Sequence, residues 1–196
     1  WRNVYPDIPL GLLGRHQAEN AALALGLTDL LLEYMDREPL DSLVLKRAWR
    51  GLTLPGRLEV VGDRPWHIVD GAHNPASAWV ASETIAEAFS TRDRTLIFGV
   101  AADKDWRTML RILAPLFRSS VFTPYDSPRS VPAAELAAFV EKELPGCVVA
   151  VAADPAHALE MALDLTGDEG LILTTGSLYL AGEMRRLLRS EKATRA

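Results

Sequence analysis

The spacing of hydrophobic and polar residues changes at about residue 50, and the change divides the chain into two regions. In the first region apolar residues recur at helical spacing, for example at Ala18, Ala21 and Leu25. This pattern predicts two helices, at about 14–34 and 41–50, and Asp41 is placed to cap the second. A segment rich in Gly and Pro follows at 51–56 and predicts a linker.

From Arg57 onward, short apolar runs alternate with helical patterns. The runs at 96–98 and 171–173 fit strands that are buried on both faces. We predict strands at 58–61, 67–69, 95–100, 120–123, 148–151 and 171–174, and helices at 75–89, 106–116, 132–144, 155–165 and 177–188. This order is typical of a doubly wound α/β domain, with a mostly parallel sheet covered by helices on both faces. The first region is too small to be a domain, so its helices are expected to need a partner.

Composition and charge exclude several functional classes. The chain has 196 residues, of which 48% are hydrophobic, and a net charge of −5 without a basic stripe, which argues against nucleic-acid binding. It has no apolar run long enough to span a bilayer, and its first residues do not resemble a signal peptide. The single Cys147 excludes an internal disulfide and a cysteine-cluster metal site. We therefore expect a cytoplasmic protein without membrane or nucleic-acid partners.

Polar residues gather where three of the predicted strands end. In a parallel sheet the carboxyl ends of the strands lie along one edge, where ligands bind. The first junction is 70–75, in which Asn74 and Pro75 fit a helix start and His73 either faces solvent or serves a site. Asp70 is harder to explain, because a carboxylate at the end of a buried strand needs a partner. A ribose hydroxyl, a metal-bound water or an arginine would each serve.

The other two junctions also suit an anionic ligand. Lys104 follows the strand at 95–100 and could hold an anionic group, or it could be a solvated loop lysine. Ser177 lies between a strand and a helix, where it could cap the helix, contact an anion at the helix start, or do both. From these residues alone, we infer a small-molecule site for a ligand that carries carboxylate or phosphate groups.

Several motifs are missing from the sequence. It contains neither the phosphate loop Gly-x-x-x-x-Gly-Lys-Ser/Thr nor the dinucleotide fingerprint Gly-x-Gly-x-x-Gly. The four histidines show no metal-ligand spacing, and no nucleophile elbow is present. If the chain contributes to an ATP site, the groups that bind the phosphates must come from another part of the protein.

Five segments in order resemble the folylpolyglutamate synthase and dihydrofolate synthase branch of the Mur ligase superfamily. They are LGRHQAENAA at 13–22, PGRLE at 55–59, DGAHNP at 70–75, residues 98–99 with 103–105, and TGSLY at 175–179. The resemblance implies that residues 1–54 are the helical tail of a central ATPase domain with a linker. It also implies that residues 55–196 are the C-terminal, Rossmann-like glutamate-ligase domain.

The resemblance implies roles for seven residues. Asn20, Arg57 and Asp70 would bind the nucleotide. His73 would be catalytic and face the reacting phosphate or the incoming glutamate. Ser177, Tyr179 and Lys104 would bind glutamate.

The resemblance also implies the reaction, an ATP-dependent ligation. A folate carboxylate is activated as an acyl phosphate and then attacked by the amine of L-glutamate. ATP and Mg²⁺ are the implied cofactors, with the magnesium ligands expected in the missing N-terminal ATPase domain and none in this chain. We therefore expect the chain alone to be inactive. The alternatives are the C-terminal domain of another Mur-type amino-acid ligase, such as a muramyl-peptide synthetase, or a non-catalytic α/β binding module.

Overall fold

The structure is a computed structural model that describes residues 3–195, with side chains to residue 190. The chain divides into two units between Leu54 and Pro55, and each is described by itself. The first unit contains α1 (Arg15–Tyr34) and α2 (Ser42–Arg50). The predicted cap of α2 is confirmed, because the Asp41 carboxylate accepts the backbone N–H groups of Leu43 and Val44, both at 2.8 Å.

Helix α1 leaves most of its apolar side chains uncovered within its own unit. Only Gln17 and Gly26 of this helix are buried, whereas Leu23, Leu27 and Leu30 are each more than half exposed. A row of leucines spaced three and four residues apart forms one face of a helix. This face is consistent with the expectation that the helices of the first region need a partner.

The second unit is an α/β domain built on six strands. Its elements in chain order are β1 (Glu59–Asp63), β2 (Trp66–Val69), α3 (Pro75–Ala88), β3 (Arg94–Phe98), α4 (Trp106–Leu113), a 3₁₀ turn (Ala114–Leu116), β4 (Ser119–Phe122), α5 (Ala133–Glu143), β5 (Val148–Val151), α6 (Pro155–Leu165), β6 (Leu171–Thr175) and α7 (Leu178–Arg195). The strand order is β1-β2-β6-β3-β4-β5. Only β1 runs antiparallel to its neighbour; the other pairs are parallel, which confirms the predicted fold class.

Two element ends differ from the predicted ones. Helix α4 stops at Leu113, and a 3₁₀ turn that contains Pro115 follows it, because proline cannot donate the backbone hydrogen bond that the helix needs. Helix α7 continues to Arg195 instead of ending at Leu188. The residues after Leu188 are polar but include good helix formers, so polarity alone was a poor stop signal.

The core lies on both faces of the sheet. Val69, Ile97 and Ile172 point to the face covered by α6 and α7, where they pack with Leu159 and Met184. The alternate strand residues face α3, α4 and α5, and the strands β3 and β6 are buried along their whole length. This double coverage explains why their sequences are continuous apolar runs. Within residues 3–195, no helix is both long and apolar enough to cross a membrane.

Candidate functional site

The three polar junctions meet at the middle of the carboxyl edge of the sheet. Strand β6 lies between β2 and β3, so the segments that follow these strands are neighbours. Backbone hydrogen bonds join them: Asp70 N–H donates to the Thr174 carbonyl at 2.9 Å, and Gly176 N–H donates to the Ala72 carbonyl at 3.0 Å. The Gly99 N–H donates to the Thr175 carbonyl at 3.4 Å. The prediction that the three junctions share one edge is confirmed.

Two glycines allow this close approach. A Cβ on Gly71 would lie 2.2 Å from Cδ2 of Leu178, at the start of α7. Gly176 has a φ of +109°, and a Cβ there would lie 2.5 Å from the Gly99 carbonyl oxygen. At Gly71 the Leu178 side chain would have to move to make room for a Cβ, whereas at Gly176 the clash is with backbone and the φ also favours glycine. The close approach of the junctions therefore requires glycine at position 176, and glycine at position 71 leaves room for the Leu178 side chain.

Asp70 is buried, and its carboxylate binds backbone amides. Its Oδ1 accepts the Ala72 N–H at 2.8 Å, and its Oδ2 accepts the Leu58 N–H at 2.9 Å. The sequence suggested a ribose hydroxyl, a metal-bound water or an arginine as partner, and these two backbone donors were not among those suggestions. Asp70 therefore ties the segment that enters the domain to the end of β2.

Arg57 is exposed, and its two neighbours in the chain are held in place. The Gly56 N–H donates to Oε2 of Glu59 at 3.1 Å, and the Leu58 N–H donates to Asp70. Leu58 has a φ of +46°, a strained conformation for a residue with a branched side chain. In the described part of the chain the Arg57 guanidinium has no hydrogen bond or ion pair. It is therefore a cation on a fixed backbone that is available to a ligand.

His73 is half-buried at the start of α3. Its Nδ1 lies 2.9 Å from the Gly71 carbonyl oxygen, which can only accept, so Nδ1 carries the proton and Nε2 of the neutral ring is an acceptor. Asn74 caps α3, since its side chain accepts the Ser77 N–H at 2.8 Å and Ser77 completes a capping box. The capping that the sequence suggested for Asn74 and Pro75 is confirmed, and His73 lies beside that cap.

Ser177 and Tyr179 open α7 at the same edge. Ser177 is buried and its Oγ accepts the Tyr179 N–H at 3.1 Å, so it caps the helix as the sequence suggested. The exposed Tyr179 ring stacks on Tyr125, with ring centroids 6.2 Å apart and planes 6° from parallel. Tyr125 follows β4 and was missed by the sequence analysis, which considered only three strand ends. Its position three residues after an apolar strand was the available signal.

Lys104 lies in the loop after β3 and binds an acidic neighbour. Its Nζ is 3.0 Å from Oδ2 of Asp103, and this contact is the main reason that the pKa of Asp103 lies below its ordinary value. The pair is well exposed, so it adds little to stability. A ligand carboxylate that binds Lys104 would have to share the Lys104 ammonium with Asp103 or displace Asp103 from it.

Asn20 belongs to the first unit and lies on α1. It is exposed, and its Nδ2 donates to Oε1 of the buried Gln17 at 3.4 Å. The structure of the second unit therefore brings together six of the seven residues predicted for the site along one sheet edge, and Asn20 is described only within its own unit.

The edge suits anions better than metal ions. Helices α3 and α7 both begin there, and the first N–H groups of a helix attract negative charge. Across residues 3–195 no group of three or more His, Cys, Asp or Glu side chains could hold a metal ion. The hydroxyls of Thr174 and Thr175 are fully buried beside the junctions without a hydrogen-bond partner among the described residues, and neither was predicted as a site residue.

Comparison with known proteins identifies the family. Residues 56–178 match the sequence family described as Mur ligase, glutamate ligase domain. The chain is 33% identical to the dihydrofolate synthase/folylpolyglutamate synthase of Mycobacterium tuberculosis, over 94% of this chain and 40% of that protein. It is 30% identical to the enzyme of the same name from Bacillus subtilis, over 94% of this chain and 42% of that protein.

A solved structure agrees with the sequence comparisons. The Mycobacterium tuberculosis folylpolyglutamate synthase complexed with ADP matches with a TM-score of 0.83 and 33% identity, over 95% of this chain and 43% of that one. The chain thus spans about two fifths of the length of the curated relatives it matches. The family match covers more than half of the chain and includes all three polar junctions. The chain therefore belongs to the Mur ligase family and contains its glutamate ligase domain.

Proposed function

We propose that this chain is the C-terminal part of an ATP-dependent folylpolyglutamate synthase, with dihydropteroate as a second candidate acceptor. The enzyme adds L-glutamate to a folate. The observation that carries the proposal is the meeting of the β2, β6 and β3 junctions at one edge, within the segment that matches the glutamate ligase family. The named relatives support the folate branch over the muramyl branch.

ATP would supply the phosphoryl group that turns a poorly electrophilic folate carboxylate into an acyl phosphate, which the glutamate amine attacks. On the nucleotide side, we assign Arg57 to direct contact, because its guanidinium is exposed and unpaired within the described residues. Both carboxylate oxygens of Asp70 accept backbone N–H groups. We therefore assign Asp70 two roles: it holds the backbone at Arg57 in place, and it lies on the nucleotide side of the site. Asn20 would approach the adenine from the first unit.

His73 is the proposed catalytic residue. Its protonated Nδ1 is engaged with a backbone carbonyl, so Nε2 is the atom that can accept a proton from the glutamate amine or a hydrogen bond at the reacting phosphate. Two helix starts flank this position and favour the negative charge of both reactants. The chain thus provides orientation, a base and a positive field at the point where two anions must meet.

The glutamate side is assigned to Ser177, Tyr179 and Lys104. The Ser177 hydroxyl and the start of α7 would receive a carboxylate, and the ring of Tyr179, held against Tyr125, would form a wall of the site. Lys104 would bind the second carboxylate in exchange for Asp103. The phosphate loop and the magnesium ligands would come from the N-terminal ATPase domain, and residues 1–54 would be the tail of the central domain.

The proposal is tested with the full-length protein that carries this chain. We expect release of ADP that depends on both L-glutamate and a reduced folate or dihydropteroate, with no turnover on a UDP-muramyl peptide. The His73→Ala variant should lower kcat by about 100-fold or more, the usual effect of losing a general base.

His157→Ala is the matched control, because His157 is exposed and its ring contacts Asp154 at the start of α6, another element. This variant should retain kcat within about twofold, since it touches none of the three junctions. An equal loss of kcat in the two variants would contradict the catalytic role of His73. Turnover on the UDP-muramyl peptide but not on a folate would contradict the folate assignment and support the muramyl-peptide synthetase alternative.

A further inference from the structure

A cavity lies at the opposite edge of the sheet, between the amino ends of β3 and β4. Its volume is about 600 Å³, within the range of small-molecule sites. Five-residue strands separate the two edges, so the cavity lies roughly 15 Å from the junctions described above. It is lined by three arginines and by no acidic residue. The arginines are Arg92, Arg94 and Arg118, and the apolar lining residues include Phe89, Leu116 and Phe117.

Arg94 is the buried member of the three. It is only 8% exposed, and its Nε and Nη2 donate to the carbonyl oxygens of Thr91 at 2.7 Å and Phe89 at 2.6 Å. These carbonyls close the turn between α3 and β3, but they carry no charge to neutralise the guanidinium. No carboxylate lies within ion-pair distance of Arg94 in the described chain. Burial and the positive charge of Arg92 together lower the pKa of Arg94, as expected for a cation that lacks a counter-ion.

The other two arginines add charge that is only partly balanced. Arg118 pairs with Oδ1 of Asp93 at 3.1 Å, while its Nη2 also donates to the Leu165 carbonyl. The other oxygen of Asp93 accepts the Gly167 N–H at 2.8 Å. Arg92 is exposed and makes neither a hydrogen bond nor an ion pair with any described residue. The three arginines therefore carry three positive charges, and the Asp93 carboxylate, which pairs with Arg118, balances only one of them.

We propose that this cavity binds a phosphate monoester with an apolar organic group, through Arg92, Arg94 and Arg118. A phosphate dianion supplies the two charges that Asp93 leaves unbalanced, and guanidinium groups bind its oxygens through paired N–H donors. A bare oxyanion would leave most of the cavity empty. The organic group lies against Phe89, Leu116 and Phe117, which line the cavity. The site is separate from the ligase junctions and does not depend on their assignment.

Phenyl phosphate is the probe, titrated by calorimetry into the full-length protein with saturating ADP and Mg²⁺ so that the nucleotide site is filled. We expect measurable binding to the wild type, and about tenfold weaker binding to Arg92→Gln and to Arg118→Gln, since each removes a charge-assisted contact. Arg92 has no partner to lose, so its variant should keep the thermal midpoint of the free protein. Phenyl phosphate should raise the midpoint of the wild type more than that of Arg92→Gln.

Arg186→Gln is the matched control, because Arg186 is an exposed arginine on α7 that does not line this cavity. This variant should bind phenyl phosphate with the affinity of the wild type. Phenol, which lacks the phosphate, should bind to neither the wild type nor Arg186→Gln. Equal affinities in Arg92→Gln and Arg186→Gln would overturn the site, and so would a failure of the wild type to bind. Inorganic phosphate should bind more weakly than phenyl phosphate. Equal affinity for the two would overturn the role of the apolar wall.

Discussion

Asp70 shows how one buried carboxylate organises the carboxyl edge of the sheet, where the candidate site lies. It accepts one backbone N–H from the segment entering the domain and one from the loop after β2, and the first of these donors, Leu58, precedes Asp70 by twelve positions. The same contact holds Leu58 at a positive φ and fixes the backbone on which Arg57 stands. A neutral group could satisfy neither donor as strongly, because hydrogen bonds to a carboxylate are charge-assisted.

Asp70→Asn should lower the free energy of unfolding by about 1.5–3 kcal/mol, because the new amide NH₂ must face a backbone N–H that it cannot accept. Urea unfolding of the purified protein measures this loss. Asp63→Asn is the control: Asp63 is an exposed carboxylate at the end of β1, and its loss should change stability by less than about 0.5 kcal/mol. Equal effects of the two substitutions would contradict the anchoring role of Asp70.

At the scale of elements, the three junctions of the candidate site meet because β6 lies between β2 and β3. The turn from β6 to α7 passes so close to β3 that only glycine fits at position 176. Gly176 N–H also donates to the Ala72 carbonyl, so the same turn touches the loop that carries His73. The distance between the proposed catalytic side and the proposed glutamate side therefore depends on the packing of one turn.

Gly176→Ala should destabilise the protein more than Gly146→Ala, although both glycines have a φ of +109°. A Cβ at Gly146 meets nothing within 4 Å, so that variant carries only the backbone strain, about 1–2 kcal/mol. At Gly176 the clash with the Gly99 carbonyl adds roughly 1–3 kcal/mol. Thermal and urea unfolding of the two variants give the difference directly. If the two losses match, the close approach of the turn to β3 contributes no stability.

At the scale of the whole molecule, the two units differ in how completely each buries its own apolar side chains. The α/β unit buries a core on both faces of its sheet, whereas α1 exposes a row of leucines. A contiguous apolar face of this kind is costly in water and is typical of a surface that packs against another part of a protein. Because the matched relatives are more than twice as long as this chain, we propose that the rest of a central domain covers that face.

The chain of residues 1–196 alone should therefore show no glutamate-dependent ATP turnover and only weak ATP affinity. It contains no phosphate loop, so the β- and γ-phosphates lack the backbone N–H cradle that holds them in such enzymes. A steady-state assay with ATP, glutamate and a folate, run beside the full-length protein at equal concentration, measures turnover. Activity of this chain above the background, or a Kd for ATP of about 1 μM or tighter, would contradict the division of the site between domains.

The amino-acid sequence by itself determined most of the elements and the sheet edge at which the three polar junctions meet. Apolar runs such as 171–173, placed between helical segments, predicted a parallel sheet, and parallel strands bring their carboxyl ends to one edge whatever their order. The local caps at Asp41 and Asn74 were also predictable, because the donors and acceptors are at most three residues apart.

The tertiary structure alone decided the contacts between residues distant in the chain. The partners of Asp70, the stacking of Tyr125 on Tyr179 and the three arginines around one cavity depend on strand order and on helix packing. Hydrophobic periodicity records which face of an element is buried, but it does not record which element lies on that face. For this reason the sequence predicted a polar edge with His73 on it, and only the fold showed what holds that edge together.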